Sequence, residues 1–228
     1  DGLLTEEEKL RLINTMESFG GKVSYRRTPE GKDQPYEMNI ALFDALKGTA
    51  GKGADHWQRQ RFICAHTVML ALEGIPAFYI HSLLGTENDY DRMANTGRFR
   101  SINRSQWQID RLEGLLADTE NHHHKVFTEL KRLIAIRRRQ PAFHPNATQF
   151  TLHLGLRLFG FWRQSMRRDQ SIFCIYNITD EVQEISLAEI NLIGTDRWRD
   201  LIGGMLIDDL SGSITLKPYQ SVWLSNRD

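Results

Sequence analysis

The sequence predicts two portions of different class, an α/β portion over residues 1–145 and an all-β portion over 146–228. Three observations lead there. Strong helix signals precede a nearly continuous apolar run, GIPAFYIHSLL (74–84). A helix running directly into such a run suits a parallel strand buried on both faces. After Pro145 the rhythm changes to short strand-like runs, TQFTLHL, LFGFWRQ, SIFCIYNI, VQEISL, SITLK and SVWLS, broken by Gly, Asp, Asn or Ser. That spacing indicates a compact antiparallel sheet.

The elements follow in order. Thr5-Glu6-Glu7-Glu8 has the form of a capping box, in which Thr5 and Glu8 satisfy each other's backbone donors. Leu10, Ile13 and Met16 continue at helical spacing, and Gly20-Gly21 stops the helix. The polar stretch from Lys22 to about Pro35 reads as a long loop, and NIALFDAL (39–46) as a short helix. Asp55 can cap a second helix, HWQRQRFICAHTVMLALEG, whose apolar positions Phe62, Ala65, Met69 and Leu72 recur at three and four. A third helix from Asn121 carries Val126, Leu130, Leu133 and Ile134, and ends in Arg137-Arg138-Arg139 before Pro141.

Composition excludes several classes. Lys+Arg and Asp+Glu both count 29, so there is no electrostatic footprint for nucleic acid or an anionic membrane. No run has the length of a membrane span. The acidic start, DGLLTEEEKL, is unlike a signal peptide. Cys64 and Cys174 lie far apart in apolar segments and read as buried reduced thiols, which makes the cytoplasm the expected compartment.

The loop after the predicted strand holds the densest hydrogen-bonding capacity, Glu87, Asn88, Asp89, Asp91 and then NTGRFRSINR (95–104). In parallel α/β architecture ligands meet the C-terminal ends of strands, and arginine forks suit carboxylates, phosphates and sugar hydroxyls. The other reading is that Arg98, Arg100 and Arg104 make ion pairs that stitch the loop in place. ENDYD lacks a calcium-loop pattern and reads as a helix cap or solvated loop. His122-His123-His124 cannot easily close one coordination shell, because consecutive helical residues point in different directions. The three arginines at 137–139 complement a helix C-terminus. The five tryptophans could stack on sugars, but most read as core or domain-interface residues. No P-loop, dinucleotide fingerprint, zinc ribbon or G-x-S-x-G elbow is present.

At GIPAFYIHSLLGTENDYDRMANTGRFRSINR the sequence resembles the sucrose phosphorylase group of the α-amylase superfamily (glycoside hydrolase family 13). The likeness extends over DGLLTEEE, GGKVSYR, PYEMN and the all-β tail. IHSLLGTENDY and RRRQPAFHPNATQF are most similar to the glucosylglycerate phosphorylase members. The resemblance implies the C-terminal part of a TIM (β/α)8 barrel over 1–145, including strand eight, followed by a small antiparallel β domain over 146–228. It also implies a retaining enzyme in which an Asp attacks the anomeric carbon and a Glu protonates the leaving group, from carboxyls about 5–5.5 Å apart. Phosphate then takes the glucosyl unit to give glucose 1-phosphate.

The resemblance puts those carboxylates before Asp1-Gly2 and gives Asp1 no catalytic role. No catalytic residue is therefore expected in this chain, and the chain alone is expected to be inactive. Arg100 is implied to line the subsite holding the transferred glucose. Asp33, Gln34, Tyr36, Glu37 and Asn39 correspond to a mobile loop shaping the acceptor and phosphate side. Glu37 stands where sucrose phosphorylases typically have Gln. No metal or organic cofactor is implied, only inorganic phosphate as co-substrate. The implied partners are a small glucoside, phosphate and the preceding barrel segments; open edges would make the chain self-associate. Two rivals remain: a hydrolase or transglucosidase of the same superfamily, and a non-catalytic glycan-binding or interaction module.

Overall fold

In a computed structural model, residues 3–190, 192, 194 and 197–227 are described. Asp1 lies outside them. The chain forms two compact units: Asp1–Phe62 with Phe78–Thr128, and Ile63–Ala77 with Glu129–Asp228.

The first unit opens with helix α1 (Glu6–Ser18), and the expected capping box is formed. The Thr5 amide donates to Glu8 Oε2 at 2.7 Å, while the Glu8 amide donates to Thr5 Oγ1 at 3.2 Å. The helix ends in a Schellman arrangement, with the Gly20 amide on Glu17 O and the Gly21 amide on Met16 O, each at 2.9 Å. Gly20 sits at φ +94°, and a Cβ there would strike the Tyr90 hydroxyl, so only glycine fits.

The stretch expected to be a long loop is instead a hairpin. β1 (Lys22–Arg27) pairs antiparallel with β2 (Asp33–Asn39), in a register that runs from Lys22 opposite Asn39 to Arg27 opposite Asp33. Thr28–Lys32 make the turn, with Gly31 at φ +80°. Most side chains on both strands are exposed, so no alternating apolar face marks the strands in the sequence.

A short helix α2 (Leu42–Ala45) and a two-residue ribbon, β3 (Gly48–Thr49) with β4 (Gly53–Ala54), precede helix α3 (Gln58–Ala71). Asp55 stands at the start of α3, where its Oδ1 accepts from the Trp57 amide at 2.8 Å. The buried face of α3 is not the expected one. Phe62 is buried, but Ala65 is exposed, and Cys64, His66, Thr67, Leu70 and Ala71 are the other buried positions beyond Arg61.

GIPAFYIHSLL is not a strand among the described residues. Residues 75–79 have no regular structure, and Ile80–Leu83 form helix α4. Ile75, Tyr79 and Ile80 are each at least half exposed. A strand needs at least one hydrogen-bonded neighbour, and none of the described strands pairs with this segment. The remaining elements of this unit are α5 (Tyr90–Thr96), a 3-10 turn over Phe99–Asn103, and α6 (Ile109–Ala117). Helix α7 (His122–Arg137) runs through both units and buries Val126, Leu130 and Leu133 as expected.

The second unit carries a six-stranded antiparallel sheet. In chain order its strands are β5 (Thr148–Thr151), β6 (Leu158–Gln164), β7 (Ser171–Asn177), β9 (Trp198–Asp200), β10 (Leu206–Ile207) and β12 (Ser221–Ser225). In space they lie in the order β10-β9-β12-β7-β6-β5. A separate ribbon pairs β8 (Gln183–Ser186) with β11 (Ser213–Leu216). All six strand-like runs of the sequence contain one of these strands; β9 and β10 are too short to have signalled themselves. Alternation along β7 divides the core. Phe173 and Ile175 face a cluster with Ile185, Leu187, Ile214 and Leu216 from the ribbon side. On the other face, the Tyr176 hydroxyl accepts from Trp223 Nε1 at 3.1 Å and lies 3.4 Å from Thr67 O. Every residue of β7 is buried.

Two cations close the C-terminal end of α3 within this unit. Arg137 Nε donates to Leu70 O and Arg163 Nη1 to Ala71 O, both at 2.6 Å, which supplies donors for carbonyls that a helix end leaves open. Cys64 and Cys174 are free and buried, as expected; burial pushes the Cys64 thiol up to about 11 and the Cys174 thiol higher. No helix among the described residues is long and apolar enough to cross a membrane.

Candidate functional site

The segment NTGRFRSINR is held from three sides within the first unit. The Asp89 amide donates to Ile102 O at 2.7 Å, the Tyr79 hydroxyl to Asn103 O at 3.0 Å, and Asn103 Nδ2 to Ile40 O at 3.4 Å. Ile102 is fully buried beneath it. The preceding loop is pinned in turn: Asp44 accepts from the Asn88 amide at 2.6 Å, and Asn88 Oδ1 accepts from the Ala41 amide at 2.7 Å. Asp89 caps α5 by accepting from the Arg92 amide at 2.8 Å, which settles one part of ENDYD as a cap. Gly97, at φ +64°, ends α5 in the left-handed conformation that releases the chain into the arginine segment.

Arg100 emerges from this frame beside the hairpin. Its Nε donates to Glu37 Oε2 at 2.9 Å, joining two residues singled out in the sequence 63 positions apart. Arg98 and Arg104 do not repeat the pattern. Neither has an ion pair among the described residues, so the stitching expected of all three arginines holds for Arg100 alone. Asn39 is buried at the base of the hairpin, where its Nδ2 donates to Ser24 Oγ at 3.0 Å and to Lys22 O at 3.3 Å. It is a structural tie between β1 and β2.

Gln34, Tyr36 and Glu37 line a cavity of about 480 Å³ against Leu10 and Ile13 of α1. Gln34 and Tyr36 also border a second cavity, of about 530 Å³, with Arg26 and Arg27. Asp33 is exposed at the start of β2, opposite Arg27. Ser24 and Arg92 join the arginine segment around a third cavity, and neither stood among the expected site residues.

The three histidines take separate backbone partners. His122 Nε2 donates to Gly85 O at 3.1 Å, His123 Nδ1 to Leu84 O at 2.6 Å, and His124 Nδ1 to Leu116 O at 2.6 Å. A carbonyl only accepts, so each of these nitrogens carries its proton. Burial holds the His123 imidazole below its ordinary pKa, more than the Leu84 bond raises it. His122 and His123 therefore anchor the loop before ENDYD to α7, and His124 ties α7 to α6. Trp198 and Trp223 are core residues of the second unit, not sugar platforms.

No family model matches the chain. A glucosylglycerate phosphorylase of Escherichia coli (strain K12) is 34% identical over 225 residues, covering 98% of this chain and 38% of that protein. One from Allomeiothermus silvanus is 34% identical over 223 residues, covering 98% and 37%. The chain thus spans little more than a third of the length of these curated relatives. Among solved structures, sucrose 6F-phosphate phosphorylase from Thermoanaerobacter thermosaccharolyticum superposes with a TM-score of 0.63 at 19% identity, over 78% of this chain and 33% of that one. AmyP in complex with maltose gives 0.63 at 14% identity, over 82% and 39%. Over 98% of its length the chain is similar to part of the glucosylglycerate phosphorylases, and it shares the fold of the corresponding part of these solved structures.

Proposed function

We propose that this chain is the C-terminal part of a retaining glucoside phosphorylase, and that the whole enzyme transfers glucose from a small α-glucoside to phosphate. Glucosylglycerate is the substrate we favour, because both relatives named above act under that name. The Arg100–Glu37 pair is the observation that carries the reading. It joins the R-x-I-N-R segment to the hairpin, and a guanidinium held in this way is oriented for hydroxyl and carboxylate recognition. In this reading Arg100 lines the glucosyl subsite. Asp33, Gln34, Tyr36, Glu37 and Asn39 belong to the element that shapes the acceptor side, with Asn39 acting through the hairpin it ties.

The nucleophile and the acid lie outside the chain in this reading. Carboxylates and phosphate suffice for the chemistry, with no metal or organic cofactor, and the enzyme works in the cytoplasm. Removing the nucleophile removes the covalent route, so the 228 residues alone are inactive. Grafting Arg100→Gln onto the corresponding position of the E. coli relative tests the role. We expect phosphorolysis of glucosylglycerate to fall by two orders of magnitude or more, on the order of what loss of a transition-state contact costs. Unchanged turnover would remove Arg100 from the site.

A further inference from the structure

The arginine segment stands on a closed base. The Asp89 amide donates to Ile102 O at 2.7 Å, so residues 89–102 leave the body of the unit and return at one point. That base rests on the backbone just beyond β2, where two asparagine side chains fasten it. Asn88 Oδ1 accepts from the Ala41 amide at 2.7 Å, and Asn103 Nδ2 donates to Ile40 O at 3.4 Å. Glu37 precedes these residues in β2, and Arg100 lies within the closed loop. Where the two side chains meet is therefore decided at this clamp.

Asn88 makes the shorter of the two ties and is itself held on three sides. Its own amide donates to the buried Asp44 carboxylate at 2.6 Å, which also meets Lys47 Nζ at 3.0 Å. Its Nδ2 donates to the Tyr90 hydroxyl at 3.3 Å, and that hydroxyl donates to Gly20 O at 3.3 Å. With its amide nitrogen so engaged, the side chain turns its oxygen to Ala41. Ala41 is buried, so its amide would lose its acceptor if the side chain were shortened. The clamp sits between the two partners of the Arg100–Glu37 pair. That pair is partly exposed on both sides and too weak to define its own geometry.

We infer that Asn88 is a positioning residue: by holding the Ala41 amide it sets where the arginine segment stands against β2, and so aims the Arg100 guanidinium. The inference rests on the reading that Arg100 lines the glucosyl subsite. Misplacing such a group by about 1 Å costs on the order of a hundredfold in rate. Loss of a contact made in the transition state lowers kcat more than it raises KM. Aspartate in place of Asn88 keeps an acceptor of the same shape for the Ala41 amide, whereas alanine keeps none.

Steady-state phosphorolysis of glucosylglycerate by the complete translated product of the gene tests it, beside nuclear magnetic resonance of the 228-residue chain. We expect Asn88→Ala to lower kcat roughly ten- to hundredfold with KM changed less than about threefold, and Asn88→Asp to recover most of that loss. Thr179→Ala, which removes a hydroxyl bonded to Asn177 in the second unit, should lower the melting temperature and leave kcat unchanged. In the 228-residue chain, the side-chain Nε–H resonance of Arg100 should shift in Asn88→Ala and return toward the parent position in Asn88→Asp. A parent product without turnover would sink the phosphorylase reading, and the Arg100 resonance would then decide the role of Asn88 alone. An unmoved Arg100 resonance in Asn88→Ala, a kcat loss of the same size in Thr179→Ala, or no recovery in Asn88→Asp would each overturn the proposal.

Discussion

Asn177 illustrates how single polar residues fix this fold. It is fully buried at the end of β7, where its Nδ2 donates to Glu181 O at 2.6 Å, Leu216 O at 3.2 Å and Lys217 O at 2.9 Å. Its Oδ1 accepts from the Thr179 amide at 2.9 Å and hydroxyl at 2.8 Å. One side chain therefore closes two turns, and an apolar replacement would leave several buried groups unpaired. Asn177→Leu should lower stability by about 3 kcal/mol, since each orphaned group costs roughly 1–3 kcal/mol. Denaturant unfolding measures this, and a loss under about 1 kcal/mol would show that water replaces the side chain. The Arg100–Glu37 pair belongs to the opposite regime. Arg100 is 55% exposed, so the pair orients a side chain and adds little stability. A double-mutant cycle should return a coupling of less than about 1 kcal/mol that weakens with salt.

Among the elements, the histidine run makes a pH prediction. Burial lowers the pKa of His123 below its ordinary 6.5, so near and below that value the unfolded chain binds the proton more readily than the folded one. The stability this group contributes is complete above about 6.5 and is lost as pH falls toward the depressed folded value. Stability should therefore decline on acidification from about pH 6.5, and His123→Asn should flatten that slope. An identical slope in the variant would assign the effect to other groups.

Legibility also divides by element. Helices with caps and the all-β strands could be read from the sequence, because Thr5, Glu8, Gly20 and the short apolar run of β7 between polar breaks act locally. The β1–β2 hairpin could not, since both its faces are mostly exposed and carry no apolar period. GIPAFYIHSLL misled for the opposite reason: its apolar run signals burial, but a strand also requires partners that the described residues do not provide. At the site, the arginines were visible as a cluster. Which of them pairs depended on Glu37, brought near by the hairpin. Ser24 and Arg92 joined the cavity only through tertiary placement.

For the whole molecule, the distribution of apolar surface matters most. Helices α1 and α6 bury no residue, and Leu10, Tyr25, Tyr36, Met38, Tyr79 and Ile80 are all large and exposed. With a formal net charge of zero, little repulsion opposes contact between copies. We predict concentration-dependent self-association of the isolated chain. Light scattering that shows a monomer at every concentration would contradict it.

The central claim is that these residues serve a phosphorylase to which they do not contribute the reacting carboxylates. Its most direct test is phosphate-dependent release of glucose 1-phosphate from glucosylglycerate, measured for the complete translated product of the gene and for the 228-residue chain. The account predicts release by the complete product and none by the chain alone. Release by the purified chain, or none from a complete product that carries the nucleophile and the acid, would contradict it.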